Sequence, residues 1–138
     1  MFPKEVYFEG HGDWFECVGE KRVRIYNKPA EDIDWDTVCE TEHDVMFTSP
    51  PYFGIEKYAE GSDSEGNQSW KRYKQLDAWL EGFLFKSIEK AWNHLLPDGH
   101  LIINISDVYC HHTINNICDP MNDFIDTLLN SEYIGCYG

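Results

Sequence analysis

The chain has 138 residues, a formal charge of −14 at pH 7, 42% hydrophobic and 15% aromatic residues. That is length and apolar surface enough for one packed domain, and it excludes a disordered polyanion. The charge excludes a self-sufficient grip on phosphate backbones, so any hold on nucleic acid must come from a local basic cluster or another chain.

No apolar run reaches the roughly 18 residues of a membrane span, so no membrane association is expected. Met1-Phe2-Pro3-Lys4-Glu5 lacks the charged-then-apolar layout of a secretory signal, and a cytoplasmic location is expected. The five cysteines (Cys17, Cys39, Cys110, Cys118, Cys136) are odd in number and scattered, which predicts reduced thiols rather than a disulfide framework.

Residues 1–20, rich in Gly and acids, read as an irregular N-terminal segment. Lys21 to Tyr26 alternates polar and apolar and predicts a strand, which Asn27-Lys28-Pro29 ends. Pro29 to Trp35 predicts a short helical turn with acids at its start. His43-Asp44-Val45-Met46-Phe47 predicts a second strand, which must stop at Pro50 and Pro51 because neither can donate to a ladder. Phe53 to Ser69 is polar and Gly-rich, a loop of a length that is usually functional. From about Ser69 to Leu96 apolar residues recur at helical spacing, with Ser87 alone breaking the stripe. Pro97-Asp98-Gly99 predicts a stop and turn, and His100 to Ile105 a buried strand. Asp119 to Asn130 predicts a helix with Asp119 as cap and Pro120 first, and Tyr133 to Cys136 starts a last strand. Strands alternating with helices predict an α/β fold with a mostly parallel sheet and flanking helices, in which ligands bind beyond the carboxyl ends of the strands.

Ser49-Pro50-Pro51-Tyr52 sits at such an end. Two prolines fix two φ angles and carry no N–H, so the carbonyls of this loop are available as acceptors beside a serine hydroxyl. The Tyr52 ring offers a flat face for stacking a planar base. A rigid acceptor cluster under an aromatic suits an exocyclic amine, which has two N–H donors on a flat ring. Holding both donors favours a pyramidal nitrogen with a localised lone pair, ready to attack a methyl sulfonium. Catalysis of this kind is positioning and electrostatics, and a base in duplex DNA must leave the stack to reach it.

Asp44 to Tyr52 resembles the catalytic motif of S-adenosylmethionine-dependent N4-cytosine and N6-adenine DNA methyltransferases, in which Asp, Asn or Ser precedes Pro-Pro and an aromatic. The following helix, with Trp79, Phe83 and Leu84, and then Leu95-Leu96-Pro97-Asp98-Gly99-His100-Leu101 resemble that family's next segment. The resemblance covers Val23 to Asp107, about 60% of the chain. It implies part of a Rossmann-like methyltransferase fold over residues 1–138, with S-adenosylmethionine as cofactor and a flipped DNA base as partner. Ser in the first place favours N4-cytosine over N6-adenine. It further implies that Ser49 and the Pro50 carbonyl accept from the target amine, that Pro51 stiffens the loop and that Tyr52 stacks on the base. Thr48 falls near the cofactor, and Glu31 and Asp32, after the earlier strand, fall where related folds contact adenosine. Such enzymes belong to restriction-modification systems of bacterial, phage or viral host cytosol.

The sequence also departs from the family. Phe8-Glu9-Gly10-His11-Gly12 has the Phe-x-Gly-x-Gly spacing of the cofactor loop, but Val6 stands where Asp is required and Gly12 lies only 37 residues before Ser49. It is read as part of the irregular segment. Too few residues follow Tyr133 for the remaining strands, and no basic target-recognition region is present. A partial catalytic domain is expected, completed by a complementary chain or by homo-oligomerisation, and weak methyl-donor binding is expected of the chain alone. Lys71, Arg72 and Lys74, beside Trp70, are the candidate DNA contacts. Asp107, ending a strand at the ligand edge, is either functional or a turn former. Cys110-His111-His112 with Cys118 and Asp119 matches no standard zinc spacing, so no metal is expected. The alternatives are a non-catalytic or split-enzyme subunit that retains the half-fold, and a methyltransferase acting on RNA or a protein amide. Asn-Pro-Pro-Tyr being typical of glutamine enzymes, Ser49 argues against the last.

Overall fold

The computed structural model describes residues 7–10, 14–18, 23–26, 28–39, 41–58, 60–63 and 65–136. The fold is mixed α/β. Strands β1 (Tyr7–Gly10), β2 (Trp14–Val18) and β3 (Val23–Tyr26) form an antiparallel meander in that order. A 3-10 turn (Ala30–Asp32) and the short helix α1 (Trp35–Val38) lead to β4 (His43–Thr48). After a long loop come α2 (Ser69–Arg72), then α3 (Leu76–Trp79), which runs through a π-helical stretch (Leu80–Phe85) into α4 (Lys86–Trp92). Strand β5 (Leu95–Ile103) lies parallel to β4. A small hairpin, β6 (Val108–Cys110) and β7 (Thr113–Asn115), precedes α5 (Cys118–Ile125).

Three expectations are corrected here. Residues 1–20 are not irregular throughout: aromatic and β-branched residues in Tyr7-Phe8 and Trp14-Phe15-Glu16-Cys17-Val18 suit a pleated ladder, and they form β1 and β2. The Phe8-Glu9-Gly10 half of the glycine-rich string therefore lies in an antiparallel strand, while His11 and Gly12 lie outside the described residues. The sheet is also not mostly parallel. Among the described residues parallel pairing is confined to β4–β5, and β3 pairs with β2. Tyr133 to Cys136, expected as a strand, is irregular and exposed.

Parallel strands need a crossover, and here it is the loop and helix between Ser49 and His94. The helix buries Trp79, Leu80, Phe83, Leu84, Ile88 and Ala91, close to the stripe read from the sequence. All but Ala91 form one cluster with Phe53, Val108, Ile117 and Met121, and Leu101 and Ile103 of β5 pack against it. Pro97-Asp98-Gly99, expected as a turn, bulges out of β5, because the register jumps from His43↔Leu95 to Val45↔His100. Asp98 takes φ +68° at the bulge. Gly99 is required there, since a Cβ would lie 2.8 Å from the Leu96 carbonyl oxygen.

The core face of the sheet is covered by the helix. Its other face is not: Val45, Phe47 and Ile102 are 56%, 67% and 49% exposed, with Phe47 directly opposite Ile102. Parallel pairs are normally covered on both sides.

Candidate active site

Strand β4 carries its ladder to the last possible residue, Asn104 N–H donating to the Thr48 carbonyl at 2.8 Å. Beyond it Pro50 is buried, Pro51 half-buried and Ser49 exposed. Among the described residues no protein donor reaches the carbonyls of Ser49, Pro50 or Pro51. The chain then closes into a turn, Ile55 and Glu56 N–H donating to the Tyr52 carbonyl at 3.3 and 3.4 Å, while Tyr52 N–H donates to Glu56 Oε2 at 3.0 Å.

Gly54, at φ +70°, lets the turn pass the hairpin; a Cβ there would lie 2.8 Å from Cys110 Sγ. Phe53 anchors the turn. It is buried, packs on Trp79 with centroids 5.9 Å apart, and its carbonyl accepts from the Cys110 thiol at 3.6 Å. The loop is therefore fixed at its far end, and the Ser49–Pro51 end is open.

That end opens on a cleft of about 570 Å³, within the range of small-molecule sites. Thr48, Ser49, Pro50, Pro51 and Glu31 line it together; so do Trp35, Gln68, Ser69 and Ser87. Tyr52 does not. Its ring is half-buried and packs against the core, so the expected stacking platform is not part of the cleft lining. Phe53, buried beside it, belongs to the same cluster.

Glu31 is the buried carboxylate of the cleft wall. Its side chain is only 2% exposed. Oε1 accepts from Arg72 Nη1 at 2.7 Å and from the Tyr73 hydroxyl at 3.3 Å, while Oε2 is buried without a partner. Burial pushes its pKa up, against the opposing pull of a backbone hydrogen bond and the Arg72 charge. The turn that carries Glu31 is firmly held, because Lys90 Nζ donates to the carbonyls of Glu31 and Ile33 at 2.8 and 2.7 Å.

Asp32 lies outside the cleft. It takes the other edge of the Arg72 guanidinium, with Nη1–Oδ2 at 2.8 Å and Nη2–Oδ1 at 3.2 Å. Arg72, expected at DNA, thus bridges two carboxylates. Lys71 pairs with Glu65 at 2.6 Å and sits 5.6 Å from the Trp70 ring centroid; Lys74 is exposed. With 25 acidic against 11 basic residues, a cation on this chain readily meets a carboxylate.

Asp107 is a structural group. Its Oδ1 accepts from Ile117 N–H at 2.7 Å and Cys118 N–H at 2.9 Å, satisfying the start of α5, and these bonds hold its carboxyl below the usual aspartate range. Cys110 Sγ lies 3.6 Å from His111 Nδ1 and accepts from Asn115 Nδ2 at 3.2 Å, which packs the hairpin behind Phe53. Among the described residues no group of three or more His, Cys, Asp or Glu side chains is placed to hold a metal, and no helix is long and apolar enough to cross a membrane.

Sequence reasoning passed over Ser87, whose hydroxyl is buried in the cleft wall without a partner. The signal was present: it is the one polar residue in an apolar helical stripe. Gln68 and Ser69, read as a loop end and helix start, left no such signal. Comparison with protein-family models, with curated proteins and with solved structures returned no match.

Proposed function

We infer that the chain carries the acceptor loop of an amino-group methyltransferase that takes a planar amine, an exocyclic amino group of a DNA base being the favoured substrate and N4-cytosine favoured over N6-adenine. One observation carries the reading: three consecutive carbonyls, of Ser49, Pro50 and Pro51, lie at the carboxyl end of a parallel strand, at a cleft, with no protein donor among the described residues. Backbone carbonyls without partners are uncommon in folded chains and are satisfied by water or ligand. At this loop the Ser49 hydroxyl and Pro50 carbonyl accept the two N–H bonds of the amine, fix its orientation and localise its lone pair. Pro51 resists relaxation of the loop, because its φ is locked. Thr48 and Glu31 are the cleft residues placed to meet the methyl donor.

On this reading the cleft of about 570 Å³ takes S-adenosylmethionine, a cationic sulfonium nucleoside without a phosphate, and Glu31 is the carboxylate residue of its lining. When bound, that cofactor supplies an electrophilic methyl group.

The test is transfer of labelled methyl from S-adenosylmethionine to duplex and single-stranded DNA, with Ser49→Ala as control. The variant is expected to lose activity by roughly ten- to a hundredfold with methyl-donor binding unchanged, since a single positioned polar contact is removed. Equal activity in both proteins would overturn the assignment of Ser49, and label in RNA or protein instead of DNA would move the substrate.

A second reading is favoured by a specific observation. The uncovered face of Val45, Phe47 and Ile102, and the inward Tyr52, suit a half-fold that another polypeptide completes. In that case label transfer requires a co-expressed partner, and the chain alone is inactive.

A further inference from the structure

The cluster Trp70-Lys71-Arg72-Lys74 remains without a role in the chemistry, and one member of it has a specific geometry. The segment Glu65–Tyr73 supplies Gln68 and Ser69 to the cleft wall. Much of its bonding is internal: Gln68 N–H to the Glu65 carbonyl at 3.1 Å, Lys71 to Glu65 at 2.6 Å, and Arg72 and Tyr73 N–H to the Gln68 and Ser69 carbonyls at 3.0 and 2.9 Å. Trp70 Nε1 adds a contact to the Tyr58 carbonyl at 3.3 Å within the same loop. Among the described residues, the side-chain hydrogen bonds that join this segment to the body of the fold are those of Arg72 and Tyr73 to Glu31 and Asp32. The carboxylates they meet stand on a turn that Lys90 pins to α4. A largely self-bonded unit is thus fastened to a rigid post by the Arg72 guanidinium fork, with the Tyr73 hydroxyl beside it and the Tyr73 ring packed against the core at the segment's end.

We propose that Arg72 is a positioning residue: its bridge to Glu31 and Asp32 holds Glu65–Tyr73 as a detachable wall of the cleft, and the cleft opens to its ligand when that bridge parts. The guanidinium is 27% exposed and Asp32 51%, so water and salt reach the bridge and it can open without unfolding the core. Opening also exposes Glu31 Oε2, which has no partner while the wall is closed. The proposal does not depend on the identity of the ligand, and its test needs none.

Hydrogen exchange of the full chain, read by mass spectrometry on peptides spanning 60–75, is compared between the wild type, Arg72→Gln and Asp32→Asn. Exchange in that segment is expected to rise about tenfold in Arg72→Gln, less in Asp32→Asn, and to rise in the wild type on going from 50 mM to 1 M NaCl. Peptides of β4, β5 and α4 are expected to keep their protection. Arg72→Lys restores only part of it, because an ammonium cannot span both carboxylates as the fork does. Unchanged exchange across 60–75 in Arg72→Gln overturns the proposal. So does a rise of equal size in β4 and β5, which would make Arg72 a general stability residue.

Discussion

Removing the Asp107 carboxylate separates a structural role from a functional one. In Asp107→Ala, the Ile117 and Cys118 N–H groups lose acceptors at 2.7 and 2.9 Å. Ile117 is fully buried, so its N–H has little water to turn to, whereas Cys118 is half-buried and recovers part of the loss. One charge-assisted bond lost in full and one in part give a cost of about 2 kcal/mol, in the range of a strong helix cap. Urea unfolding followed by far-UV circular dichroism reads this as a lower midpoint at unchanged slope. The pH dependence supplies a second check. The folded-state pKa of Asp107 is depressed, so its contribution is present above the ordinary aspartate value of 3.8 and is lost as pH falls through the lower folded value. The gap between wild type and Asp107→Asn is therefore expected to close in acid and to hold at neutral pH. A midpoint unmoved by Asp107→Ala, or a gap that persists below the depressed pKa, would refute the capping argument and return Asp107 to the list of candidate ligand contacts.

Two further substitutions probe the cleft wall. Ser87→Ala removes a buried hydroxyl that has no partner and places a better helix former, so the unfolding free energy from urea titration is expected to rise by about 1 kcal/mol; a fall would show that the hydroxyl is bonded in solution. Gly82→Ala places a methyl into the ring of Tyr73, and overpacking there is expected to outweigh the helical gain, for a net loss of about 1 kcal/mol with faster exchange in 60–75. Tighter packing of that segment in Gly82→Ala would contradict the contact.

What could be read from the sequence was local. The strand that ends at Thr48 and the apolar face from Leu80 to Ala91 follow from periodicity and from what proline permits, whereas Pro97-Asp98-Gly99, read as a turn, bulges within β5. The break at Tyr73 to Gln75 and the π-helical stretch at Leu80–Phe85 did not, because both answer to packing: Gly82 receives Tyr73, and the helix shifts phase to bury Trp79 with Phe83 and Leu84. The partners of Glu31 were equally hidden. Arg72 lies 41 residues away in sequence, and only the folded chain shows that two residues assigned to different ligands bind each other. Tyr52 was read as a free ring from its motif alone, and only the folded chain shows it packed with Phe53 against the core.

The electrostatics of the cleft narrow what it can take. Its polar contributions near the Ser-Pro-Pro loop are acceptors: a hydroxyl, backbone carbonyls and a buried carboxylate. Lys28 also lines the cleft, while Lys71 and Arg72, on the segment that supplies Gln68 and Ser69 to its wall, are paired with carboxylates. A phosphate approaching this wall meets repulsion from a chain of formal charge −14, whereas an amine meets complementary lone pairs. On the proposed reading, recognition of the amino group and capture of the nucleic acid that carries it are separable problems, and the acceptors of this cleft serve the first. If DNA is the substrate, the phosphate contacts belong to another surface, and the bare apolar face of β4 and β5 is where the geometry leaves room for the polypeptide that brings it.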